Sequence, residues 1–166
     1  MSDVIVVNDK DEIVGTMSRE EAHRTGTPHR IAVVYVANQK GEILIQIRKG
    51  GRLDHSSAGH VDVGETYEDA ARRELQEELG ITNTDLVSFG VISSYESPPA
   101  FIENRTHVMG MFYCEAEPGE LQEEEIEGVF WADPREVFAE MEANPESTKW
   151  SGGFRASLRQ YLIHRN

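Results

Sequence analysis

The stretch from Thr66 to Gly80 constrains this chain more than any other. Thr66 can cap a helix with Asp69 at the third helical position, and Glu68 and Asp69 suit the positive end of the helix dipole. Ala71, Leu75 and Leu79 recur every fourth residue as an apolar stripe, and Gly80 can take the left-handed conformation that ends the helix. On the other side Glu74, Glu77 and Glu78 stand at i, i+3 and i+4, so they point the same way and crowd one another. Like charges at that spacing cost a helix a few tenths of a kcal/mol per pair. A sequence carries that cost either casually, on a solvated face, or because a cation sits among the three. Arg73 and Glu77, at i and i+4, can pair and bring the arginine beside the cluster.

The residues before the helix favour the cation. Gly59-His60-Val61-Asp62-Val63-Gly64-Glu65 places two glycines where backbone can turn tightly and approach a ligand, and its carbonyls are oxygen donors of the kind hard divalent ions take. Mg²⁺ binds a few carboxylates, keeps waters and adds substrate phosphate. The chain carries a formal charge of −14, which repels nucleic acid and anionic membranes at long range. A phosphorylated substrate therefore needs local cations, and a bound metal supplies them most compactly. Arg48, Lys49 and Arg52 form a local basic cluster just ahead of the glycine stretch, suited to an outer phosphate.

Around this centre the pattern reads as one α/β domain over residues 1–166. Val4–Val7 and Ile13–Met17 make an N-terminal hairpin, and Ser18 opens a short helix toward Arg24, all within residues 1–30. Ile31–Ala37 and Glu42–Arg48 form a second hairpin. Strands follow at Leu86–Ser94, His107–Glu115 and Ile126–Trp131, with helices from Pro134 to Ala143 and from Phe154 to His164. The polar Glu96–Arg105 segment, with Pro98-Pro99, reads as a loop. Such an order favours a mixed sheet with helices packed on it. No apolar run approaches the roughly 18 residues that cross a bilayer. The N-terminus lacks signal-peptide features, and Cys114 is the one cysteine, so the expected compartment is the cytoplasm.

Gly59, five residues, Glu65, seven residues, then Arg73-Glu74-Leu75-Gln76-Glu77-Glu78-Leu79-Gly80-Ile81 resembles a complete Nudix box over residues 59–81. Every defined position matches, against a naive chance on the order of 10⁻¹⁰ per window. The resemblance implies the Nudix fold, a mixed β-sheet sandwiched between helices (α/β/α). It also implies Mg²⁺- or Mn²⁺-dependent hydrolysis of a nucleoside diphosphate linked to another moiety. In that picture Glu77 and Glu78 are metal ligands, and Glu74 is a ligand or general base oriented by Arg73. Glu65 supports the site, and Gly59 with its neighbours supplies backbone around the metal. Outside the box, Arg48, Arg52 and His60 are candidate substrate contacts, and Glu103 and Glu125 are candidate distal acids. Tyr95 and Phe101 either stack on a base or anchor their loop.

A wider similarity points to one branch. Val7-Asn8, Asp11 to Gly15, Arg19 to His23, His29-Arg30 and Ser57 to His60 look like Nudix proteins related to isopentenyl-diphosphate isomerase. That isomerase builds a second metal site from histidines and downstream glutamates, and His23, His29, His60 and Glu103 fall near those positions. Taken singly, His23 and His29 read more simply as surface or capping residues around a turn. The departures weigh against isomerisation. Ala58 stands where the isomerase needs a cysteine, and Arg105 where it needs a second glutamate. An unactivated alkene cannot be protonated and deprotonated without such an acid–base pair. A non-catalytic nucleotide sensor is the other alternative, but a sensor could shed any of the crowded glutamates with a gain in helix stability. The expected partner is a small-molecule diphosphate. Trp150 and the C-terminal helix either cover the sheet or form a homodimer face.

Overall fold

The computed structural model describes residues 3–96 and 105–165. Its organising strand is β3 (His29–Ala37), which alternates its side chains between two cores. Ala32, Val34 and Val36 face helix α2 (Tyr67–Leu79), where Ala70, Ala71, Leu75 and Leu79 are buried against them. Ile31, Val33 and Tyr35 face the other way. There Tyr35 packs with Val137 and Met141 of α3 (Pro134–Ala143) and with Phe154, Leu158 and Tyr161 of α4 (Phe154–Arg165). The sheet is thus covered by helices on both sides, an α/β/α arrangement. Fully burying each of these large apolar side chains contributes about 1.5–3 kcal/mol. Trp150 and α4 cover the sheet, which is the first of the two roles expected of them.

Strand β1 (Val4–Val7) pairs with β2 (Ile13–Met17) and meets β3 at Val6–His29. Strand β4 (Ile43–Arg48) joins β3 through a hairpin and pairs with the short β5 (Leu53–Asp54) and with β9 (Ile126–Ala132). Two pairings of β3 position the functional residues. β6 (Ser57–His60) runs antiparallel to it, with Ile31 opposite His60 and Ala32 opposite Gly59. β8 (Arg105–Glu115) runs parallel to it, with His29 opposite His107 and Val36 opposite Cys114. β7 (Val87–Glu96) completes the sheet against β8.

The local signals act as expected in α2. Thr66 and Asp69 form a reciprocal capping box, and Gly80 ends the helix at φ 64°. Helix α1 (Arg19–Thr25) is capped by Ser18, whose hydroxyl accepts from the Glu21 amide. Two expectations need correction. Residues 57–60 form a strand where the glycine-bearing sequence reads as a turn, because β3 supplies the partner. Glu96 and Arg105, expected in a loop, are paired strand residues. Glu103 and Phe101 lie outside the described residues.

Candidate active site

Helix α2 lies against β6, and the two together build an acidic wall. Glu78 is buried, at 4% exposure, because position 78 falls on the core side of the helix beneath β6. One of its oxygens accepts from the Ser57 hydroxyl at 2.7 Å, from the Ala58 amide at 3.2 Å and from the Gln46 side chain at 3.4 Å. Burial, with the nearby Glu74 carboxylate adding to it, pushes the Glu78 pKa up to about 8. Glu74 is likewise raised by burial, against the pull of Arg73. Glu77, by contrast, has a side chain 53% exposed. The three glutamates therefore do not all lie opposite the apolar stripe as expected: Glu78 is pinned on the core side, Glu74 is half-sheltered and Glu77 is solvated.

Gly59 is required by contact. A Cβ there would fall 2.2 Å from the Glu74 carboxyl carbon and from its Oε1. The missing side chain lets the Glu74 carboxylate lie directly on the β6 backbone. Arg73 ties this wall together. Its Nε and Nη2 donate to the two oxygens of Glu65 at 2.7 and 2.9 Å, its Nη1 donates to Glu74 at 2.7 Å, and Nη2 also donates to the His60 carbonyl at 3.0 Å. The expected Arg73–Glu77 pair is the longest of these contacts, at 3.5 Å. Glu65, which also accepts from the Asp62 amide, is held ionised below its usual range, first by the hydrogen bond from Arg73.

The wall borders a cavity of about 550 Å³. Arg48, Lys49, Arg52 and Glu125 are among the residues that line it. Arg48 donates to Asp54 at 2.9 Å, and Arg52 donates to the Trp150 carbonyl at 3.1 Å. Asp54 is itself buried. Burial opposes its ionisation, but hydrogen bonds from His55 and Ser151 and the charge of Arg48 outweigh it and hold its carboxyl far below the usual range. Arg30 takes no part: it pairs with Asp11 at 3.0 Å and stacks on the Tyr67 ring.

The same cavity lining corrects the reading of the histidines. His23 and His29 are not surface or capping residues. They converge with His60 and His107 so that one donor atom from each lies within 4.8 Å of all the others. His107 was legible only as a strand residue. Its signal is the β3–β8 register, which sets it beside His29. Arg19, at the start of α1, also lines the cavity, and its buried Nε has no hydrogen-bond partner among the described residues. His60 is strongly disfavoured from protonating by burial, and further by Arg19 and the other imidazoles.

The family model described as the NUDIX domain matches residues 27–151. This chain belongs to the Nudix hydrolase family. It is 33% identical to the Nudix hydrolase YfcD of Shigella flexneri over 155 residues, covering 88% of this chain and 82% of the relative. It is also 33% identical to an isopentenyl-diphosphate Delta-isomerase of Pectobacterium atrosepticum, but over 87 residues only, 49% of each chain. Among solved structures it resembles DR0079 of Deinococcus radiodurans, with a TM-score of 0.76 and 26% identity over 95% of this chain and 97% of that one. The mixed sheet between helices is accordingly the Nudix fold. Among the described residues, no helix is long and apolar enough to cross a membrane.

Proposed function

We propose that this Nudix hydrolase cleaves the phosphoanhydride bond of a small organic diphosphate, such as a nucleoside diphosphate derivative, with Mg²⁺ or Mn²⁺. One observation carries the reading: Glu78, buried and hydrogen-bonded beneath β6, lies beside Glu74, which rests on a backbone that only glycine at 59 permits. Two neighbouring carboxylates, both raised in pKa by burial, form a donor set suited to a hard cation.

Glu74, Glu77 and Glu78, with backbone from the Gly59 region, would hold the ion. When bound, it would neutralise the diphosphate and acidify a water for attack on phosphorus. The chain's own residues do the rest. Arg73 fixes the Glu74 carboxylate, leaving one of its oxygens to accept the proton of the attacking water. Glu103 is the alternative acceptor. Arg48 and Arg52, which line the cavity, receive the outer phosphate, and Arg19 in the same lining offers a further anion contact.

Isomerisation is disfavoured by geometry as well as by Ala58. Cys114 pairs with Val36 and Gly59 with Ala32, four positions apart along β3 and therefore about 13 Å away. Cys114 is also buried in the core, which raises its thiol pKa to about 11.

The test is phosphate and pyrophosphate release from a panel of organic diphosphates, including isopentenyl diphosphate, with Mg²⁺, Mn²⁺ or chelator. Chelator-sensitive cleavage that Glu78→Gln abolishes supports the reading. Binding without turnover across the panel would replace it with a sensor.

A further inference from the structure

The histidine cluster has a donor set of its own. The isomerase resemblance implies a mixed centre of imidazoles and loop carboxylates. Among the described residues the fold brings in a fourth imidazole, His107, from β8, and the sequence has Arg105 where a second glutamate is expected. From the convergence of these four rings we propose that His23, His29, His60 and His107 form an all-nitrogen centre. It would take a borderline transition ion of the Zn²⁺ or Co²⁺ class, separate from the Mg²⁺ of the glutamate wall.

Strand register builds the centre. His29 and Ile31 lie on one face of β3, two residues apart. His107 is the partner of His29, and His60 the partner of Ile31, so all three imidazoles belong to that face. Helix α1 brings His23 over them, and its ring centroid lies 5.0 Å from that of His29, 5.1 Å from that of His60 and 5.5 Å from that of His107.

The donor atoms are spaced for coordination. His23 Nε2 lies 3.1 Å from His60 Nε2 and 3.4 Å from His107 Nε2. Bonds of 2.0–2.1 Å to a tetrahedral ion put neighbouring nitrogens about 3.3 Å apart. Hydrogen bonding accounts for this less well. Each Nε2 offers a single proton or a single lone pair, so His23 cannot make two well-directed bonds to both neighbours at once. A cation accepts all the lone pairs together. His29 is already oriented for this: its Nδ1 lies 2.8 Å from the Thr27 carbonyl, which can only accept. The proton is therefore on Nδ1 and the lone pair on Nε2, the tautomer that backbone carbonyls impose on metal-binding histidines.

Chemistry selects the ion. Imidazole nitrogen suits Zn²⁺, Co²⁺ and Ni²⁺, whereas Mg²⁺ requires oxygen. His60 follows Gly59 in sequence, and His23, His60 and His107 border the cavity that Glu74 and Glu78 line. A second cation there would act with Arg19 in meeting an anionic substrate. The centre goes beyond the hydrolase reading and stands on imidazole geometry alone.

The experiment strips the full chain with chelator and reloads it with Co²⁺ under excess Mg²⁺. It reads bound cobalt by elemental analysis and coordination by visible absorption. The expected result is one Co²⁺ per chain with an intense low-symmetry band, displaced by Zn²⁺. His107→Gln should weaken binding by roughly tenfold or more, and Glu78→Gln should leave it in place. Failure to retain Co²⁺ overturns the proposal, as does a band lost in Glu78→Gln but kept in His107→Gln. If His107→Gln does not fold, His23→Gln on α1 takes its place with the same expectations. Because the readout is bound metal, it stands or falls separately from hydrolysis.

Discussion

Arg73 grips Glu65 through two parallel hydrogen bonds, Nε to Oε2 at 2.7 Å and Nη2 to Oε1 at 2.9 Å, and spends its remaining nitrogen on Glu74. The planar fork of a guanidinium is what allows one side chain to be locked by one carboxylate while it aims another. Lysine carries the charge without the fork. Arg73→Lys is therefore expected to lower turnover by about ten- to a hundredfold while the far-ultraviolet circular dichroism stays unchanged. Glu65→Gln should produce a smaller loss of the same kind. A fully active, folded Arg73→Lys enzyme would show that charge alone suffices at this position.

Gly59 is expected to be intolerant for a reason that leaves the fold intact. Its added Cβ would collide with the Glu74 carboxylate, the far end of a flexible side chain, rather than with backbone. Gly59→Ala should therefore displace Glu74 and reduce turnover at least as far as Glu74→Gln does. The melting temperature should move by only a few degrees, on the order of 1 kcal/mol for a domain of this size. Wild-type turnover in the alanine variant would sink the role given to that close contact.

How much of this could be read in advance differs between α2 and the strands around it. The helix was legible to the residue, because its caps and its stripe are local. That Glu78 is buried was also written there: Ala71, Leu75 and Glu78 stand at i, i+4 and i+7, a core spacing, although the charge invites placing it outside. β6 was not legible, since Ser57-Ala58-Gly59-His60 has little intrinsic preference for a strand and is paired only through β3, more than twenty residues away. The histidine cluster was hidden for the same reason. His29 and His107 meet through a parallel pairing across a long stretch of chain, and no local pattern carries that register.

The buried Glu78 carboxyl makes metal-free stability depend on pH. The unfolded chain releases this proton near 4.5, while the folded chain keeps it up to about 8. Between those values the folded state binds more protons, so its contribution is fully present below the lower value and lost as pH rises through the upper one. In chelator, the melting temperature should fall from pH 5 to pH 8, with an energetic scale on the order of 4 kcal/mol. Glu78→Gln should flatten that dependence and be the more stable protein at pH 8, because it removes a buried charge. Added Mg²⁺ should restore the wild type and release protons. An equal slope in both proteins would assign the effect elsewhere.

Asp54 shows how a residue away from phosphorus can still set substrate affinity. Its Oδ1 accepts from the His55 amide, from His55 Nδ1 and from the Ser151 hydroxyl, which leaves Oδ2 to hold Arg48 at 2.9 Å on the edge of the cavity. His55 Nε2 lies 2.7 Å from the Ser157 hydroxyl of α4, so the carboxylate is braced from behind by the helix. Asp54→Asn preserves the shape but removes the charge facing Arg48. With a diphosphate that the enzyme turns over, KM should rise about tenfold while kcat changes little, since a phosphate contact made equally in the ground and transition states affects binding alone. Arg48→Ala should give the same split, and the double variant should be no worse than Arg48→Ala, because both substitutions act through one contact. A fall in kcat at unchanged KM would instead place Asp54 in the chemical step.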